Sequence, residues 1–132
     1  MATTVEPLSG ECETFPADVA LVMSALEAGE TLSNRRNGRR QRYRVLATLR
    51  LFSDTATAPP WLLYTRDVNG RGLGFVTAHR LPLGYGGVIE LPGPLGEPLT
   101  IHCTLLRCRE AAPGWFEGSV YFNREQPKFA AE

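Results

Sequence analysis

Across residues 42–52 the side chains alternate between apolar and polar with a period of two. Tyr43, Val45, Ala47, Leu49 and Leu51 share one face; Arg42, Arg44, Thr48 and Arg50 share the other, with Leu46 among them. Successive side chains of a strand point to opposite faces, so this run predicts a half-buried strand and excludes a helix there.

The same signal recurs at short intervals. WLLYTRDV (61–68) and LGFVTA (73–78) flank the tight turn Asn69-Gly70-Arg71-Gly72, which predicts a β-hairpin. VIEL (88–91), LTIHCTLLRC (99–108) and WFEGSVYF (115–122) complete a set of about six strands. The segments between them carry Pro59-Pro60, a Gly-rich turn at 83–87, PGPLGEP at 92–98 and a turn at 111–114. Thirteen glycines and ten prolines supply these turns. The period changes only over residues 17–28, where Val19, Val22 and Leu26, with Met23 beside them, form one helical face. Pro16 suits the entry of that helix and Gly29 its stop. At 132 residues the chain is long enough for one modest core. The expected fold is mostly β: a small six-stranded antiparallel barrel or split barrel with one N-terminal α-helix. Residues 1–33 hold the acidic lead and the helix, 34–123 the barrel, and 124–132 a short polar tail.

Charge is segregated along a chain whose formal net charge is zero. Residues 1–30 hold six acids and no Lys or Arg. Residues 31–53 hold seven arginines and no acid. Overall neutrality argues against a general nucleic-acid binder, and no aromatics are interleaved on the basic strand face. A local cluster points to a compact anionic target instead. Arginine adds a planar fork that matches phosphate oxygens and guanine edges.

Several function classes receive no support. No run of apolar residues is long enough to span a membrane, and the first residues do not read as a signal peptide, so a cytoplasmic protein is expected. Cys12, Cys103 and Cys108 cannot all pair and form no Cys-x-x-Cys, and with His79 and His102 they lack the spacing of a zinc site. The cysteines read as small core or surface residues, and Trp61, Trp115 and Phe116 as core. No Gly-x-Ser-x-Gly, no phosphate-cradling Lys-Ser/Thr loop and no nucleophile–base pair is present, so an enzyme is not expected.

Three features then occur in a fixed order. An Arg-x-x-x-Arg spacing precedes the first strand and is met by Arg35/Arg39, by Arg36/Arg40 and by Arg40/Arg44. Asp67-Val68-Asn69-Gly70-Arg71-Gly72 follows and continues as Leu73-Gly74-Phe75. The terminal hairpin CTLLRCREAAPGWFEGSVYF ends in Gly118-Ser119-Val120-Tyr121-Phe122. Over residues 34–123 this resembles the PilZ domain, a bacterial receptor module for cyclic di-GMP. That family's pattern is Arg-x-x-x-Arg, then Asp/Asn-x-Ser-x-x-Gly with a Gly-Leu-Gly-Phe-like continuation, then a hairpin ending Gly-x-x-Phe. Asn69 stands where the family has Ser.

The resemblance implies a ligand site at Arg35, Arg36, Arg39, Arg40, Asp67, Asn69 and Gly72, with Arg36/Arg40 the preferred motif pair and Arg35/Arg39 the competing one. It implies second-messenger recognition relayed to an effector protein as the loop orders on the ligand. No cofactor, metal, nucleic acid or membrane insertion is expected, and self-association is left open. In that site the arginines would hold phosphates or guanine edges, and Asp67 would accept from guanine N1–H and N2–H. Gly72 would let backbone approach the ligand closely or adopt a positive φ. The alternative is an interaction module with the same fold that binds no nucleotide, and the Asn69 substitution favours it.

Overall fold

The computed structural model describes residues 15–30 and 40–129, without the side chains of Gly29 and Glu30. Helix α1 spans Ala17–Glu30. The strands are β1 Gln41–Arg42, β2 Leu46–Leu51, β3 Trp61–Asn69, β4 Gly72–Thr77, β5 Gly86–Pro92, β6 Pro98–Ala112 and β7 Trp115–Phe122. Six of them close an antiparallel ring in the order β3-β2-β5-β6-β7-β4, with β4 returning to β3; the short β1 pairs with β3 outside the ring. Mostly-β architecture, a six-stranded barrel and a single helix all agree with the sequence expectation.

Period-two alternation decides what enters the barrel. Tyr43, Val45, Ala47, Leu49 and Leu51 are all buried, whereas Leu46 on the opposite face is 45% exposed. Phe75, Ile89, Leu105 and Phe122 fill the same interior.

The regular pattern breaks at one place on β3. On its β4 side, Tyr64 and Thr65 pair with Val76 and Phe75, but Asp67 pairs with Gly74, so Arg66 is an extra residue. On the other side three residues (43–45) separate β1 from β2, while only two (65 and 66) separate the matching stretches of β3. Buried backbone groups need partners, and Thr65 supplies them. Its hydroxyl accepts from the Val45 amide at 2.8 Å and donates to the Tyr43 carbonyl at 2.5 Å. A regular strand over 61–68 was expected, and no local signal marks the irregularity.

Helix α1 packs against the outside of the barrel. Val19, Val22 and Met23 are buried against Val76, with Leu26, Tyr64 and Trp115 at the margin. The Phe15 and Tyr64 rings meet edge-on at 5.1 Å. An ion pair adds to the apolar contact: Arg44 Nη2 lies 2.5 Å from Glu27 Oε2. No helix among the described residues is long and apolar enough to cross a membrane.

The C-terminal segment departs from the expected polar tail. It forms a 3-10 turn at Pro127–Phe129, and Phe129 is fully buried. Its ring lies 5.3 Å from Tyr43 and 6.4 Å from Phe122, beside the β3–β4 turn, where the Gln126 amide donates to the Gly70 carbonyl at 2.7 Å. One aromatic in a polar run has no periodicity to announce it; the gap at the end of the barrel decides its place.

Replacing Phe129 with Ala should lower unfolding free energy by about 3–5 kcal/mol in urea titration, because a fully buried ring leaves a cavity. A solvated tail would give a change near zero.

Burial also pushes the Cys103 thiol up to about 12 and the Cys108 thiol upward. Both should resist iodoacetamide in the folded protein and react in urea. A raised folded-state pKa gives a contribution to stability that is intact below the unfolded thiol value of about 8.5 and lost as pH climbs toward the folded one. Urea midpoints measured from pH 8 upward should therefore fall.

Candidate functional site

The break in β3 sets the direction of every side chain after it. Leu63 and Thr65 point inward, so an unbroken strand would also carry Asp67 into the core. The extra Arg66 reverses the parity. Val68 is fully buried instead, and Asp67 and Asn69 reach the outer surface half-buried.

Strand β1 brings the arginine-rich segment to the same spot. Gln41 pairs with Val68 and Arg42 with Asp67, which sets Arg40 against the Asp67 side chain. Arg40 Nη1 donates to Asp67 Oδ1 at 2.9 Å, and the two side chains are 25% and 23% exposed. The same oxygen accepts from the Gly74 amide at 3.2 Å. Among the described residues Asp67 Oδ2 has no partner. Gly74 makes this arrangement sterically feasible: a Cβ there would lie 2.8 Å from Asp67 Oδ1. Arg44, two residues past Arg42, has its pKa lowered by burial and then by the charge of Arg42. Positive charge is thus crowded on this side, which favours an anion.

Asn69 folds back on its own turn. Its Oδ1 accepts from the Arg71 amide at 2.8 Å and the Gly72 amide at 3.0 Å, an Asx turn that holds the β3–β4 connection. Its amide nitrogen has no partner among the described residues and remains available as a donor.

Gly72 differs from expectation. Its φ is not positive; among the described residues the positive values are at Gly84, Gly96 and Gly114. Its need for glycine comes from β7: a Cβ would lie 2.5 Å from the Val120 carbonyl oxygen. Close strand packing explains the residue without invoking a ligand.

Of the site residues expected from sequence, Arg40 and Asp67 are brought into contact, and Asn69 and Gly72 lie one step along the same hairpin. Arg35, Arg36 and Arg39 lie outside the described residues. Gly74 and Ser119 stand within the quoted motifs but were not expected as site residues. The pairings Asp67↔Gly74 and Gly74↔Ser119 form one row across three strands. Ser119 is half-buried, and its hydroxyl has no partner among the described residues. Nothing in local sequence marks such a row, because it exists only through strand register. No group of three or more His, Cys, Asp or Glu among the described residues could hold a metal. The chain matches no family model, no curated protein and no solved structure.

Gly74→Ala should destabilise the protein by about 1–3 kcal/mol through overpacking. Much of that cost should vanish in an Asp67→Ala background, since the collision is with the carboxylate. A double-mutant cycle read by urea unfolding should show a coupling of at least about 0.5 kcal/mol. Strict additivity would mean that the methyl group meets something other than Asp67.

Proposed function

We propose that this barrel is a PilZ-type receptor domain that binds cyclic di-GMP and passes the signal to an effector protein. The observation that carries the reading is the Arg40–Asp67 contact. Two short motifs, separated by 27 residues, meet on one outer face of the barrel, as a shared ligand site requires. Motif order, the turn at 69–72 and the glycine at 74 support the same reading.

Each side chain has a chemical task in this site. Arg40, with arginines of the preceding segment, offers forked donors to the phosphates or to guanine O6 and N7. Asp67 accepts guanine N1–H and N2–H through the oxygen that Arg40 leaves unused. Asn69 donates through its amide nitrogen while its oxygen holds the turn. Binding shifts Arg40 from Asp67 toward the ligand, and the Arg44–Glu27 pair links this region to helix α1. The domain performs no chemistry on its ligand and acts in the cytoplasm, where the messenger is found.

A second reading has one observation in its favour. Asn69 spends its oxygen on the turn, and its side chain is bulkier than serine. On that reading the fold is an interaction module that takes no nucleotide.

Calorimetric titration with cyclic di-GMP, using GTP as control, separates the two. On the receptor reading wild type binds and Arg40→Ala weakens binding roughly 10- to 100-fold, the loss of a charge-assisted hydrogen bond of about 1.5–3 kcal/mol. Asp67→Ala should cost cyclic di-GMP more than cyclic di-AMP. Silence from both wild type and Asn69→Ser near millimolar ligand would leave the interaction module as the better account.

A further inference from the structure

The floor beside Asp67 continues past Ser119 to a second cationic wall. Ser119 pairs with Arg107 on β6, so one outer row runs Asp67, Gly74, Ser119, Arg107 across β3, β4, β7 and β6. Arg40 stands at one end of that row and Arg107 at the other. The two middle positions, Gly74 and Ser119, carry the smallest side chains of the row, so the span between the arginines is low.

Arg107 is held in place from below. Its Nη2 donates to Glu117 Oε1 at 2.9 Å, and Glu117 is only 1% exposed. Arg109 takes the other oxygen of the same carboxylate through Nε at 2.5 Å. A carboxylate this deep needs paired cations, and it fixes both guanidinium groups in return. Arg107 is nevertheless 46% exposed, and its Nε and Nη1 have no partner among the described residues. Leu106 is the extra residue of a bulge in β6, which sets Arg107 opposite Ser119. An anchored arginine with unused donors loses little entropy on meeting an anion.

We infer that Arg107 is the far wall of the ligand site, and that the site takes a ligand with two separated anionic groups, one for each wall. This rests on the receptor reading above and extends it to a residue outside both short motifs. Arg109 is the built-in comparison. It shares Glu117 with Arg107, but it lies two pairs further along, where Val76 opposite Glu117 is covered by helix α1.

The experiment is calorimetric titration of the full chain with cyclic di-GMP, in wild type, Arg40→Ala, Arg107→Ala, Arg107→Lys and Arg109→Ala, each checked for its melting temperature. Arg107→Ala should weaken binding roughly tenfold or more, as removal of a charge-assisted contact does. Arg107→Lys should lose most of the same amount, because an ammonium cannot hold Glu117 and present a second fork. Should Arg107→Ala fail to fold, the Lys variant carries the comparison. Arg109→Ala should stay within twofold of wild type. If Arg107→Ala and Arg107→Lys stay within twofold while Arg40→Ala falls tenfold, the far wall is wrong and the receptor reading stands. Equal losses at Arg107 and Arg109 would also overturn it, since a general field or a disturbed Glu117 would then explain both. Wild type that takes up no ligand overturns the inference together with the reading beneath it.

Discussion

The hydroxyl of Thr65 holds the irregularity in β3 on which the outward place of Asp67 depends. Regular pairing with β3 lapses on both sides: at Arg66 on the β4 side, and at residues 65 and 66 between the pairings with β1 and β2. A buried break of this kind strands amide and carbonyl groups, each costing about 1–3 kcal/mol if unpaired. Thr65 satisfies one donor and one acceptor of the facing strand with a single side chain. The reward is directional. Past the bulge, Val68 takes the inward place and Asp67 turns out to meet Arg40. Without the extra residue, a carboxylate would enter an apolar core, at a cost far beyond that of the bulge.

This explains which features were legible in sequence. Alternation over 42–52 reports burial residue by residue, because every second side chain of a barrel strand faces the core. Strand boundaries followed from glycine, proline and Asn-Gly pairs, which mark turns through local backbone chemistry. Arg40 and Asp67 were legible through motif chemistry. The bulge was not, since Thr-Arg-Asp in a strand has no local preference for breaking the ladder. Gly74, Ser119 and Arg107 join Asp67 only through three successive strand registers. Phe129 was hidden for a related reason: its burial depends on a gap between Tyr43 and Phe122 that forms after the ring has closed.

Segregated charge along the chain acquires a meaning in three dimensions. The acidic N-terminal stretch supplies Glu27, and the basic segment supplies Arg44; their ion pair fastens the helix to the residues between β1 and β2. Coulombic attraction near a surface is modest, so apolar contact of Val19, Val22 and Met23 with Val76 does most of the holding. The ion pair adds direction. It ties the end of the helix to the residues just past β1.

The two glycines of β4 answer different demands, and the difference bears on what the outer face can do. Gly72 makes way for a carbonyl of β7, so its absence of a side chain is used up within the barrel wall. Gly74 makes way for a carboxylate, and the place its Cβ would take is filled by Asp67, with Arg40 beside it. A methyl group at 72 would push two strands apart, whereas one at 74 would displace Asp67 and with it the partner of Arg40. The first glycine therefore belongs to the closure of the ring. The second belongs to the candidate site, because it leaves room for the Asp67 carboxylate to lie beside the Arg40 guanidinium.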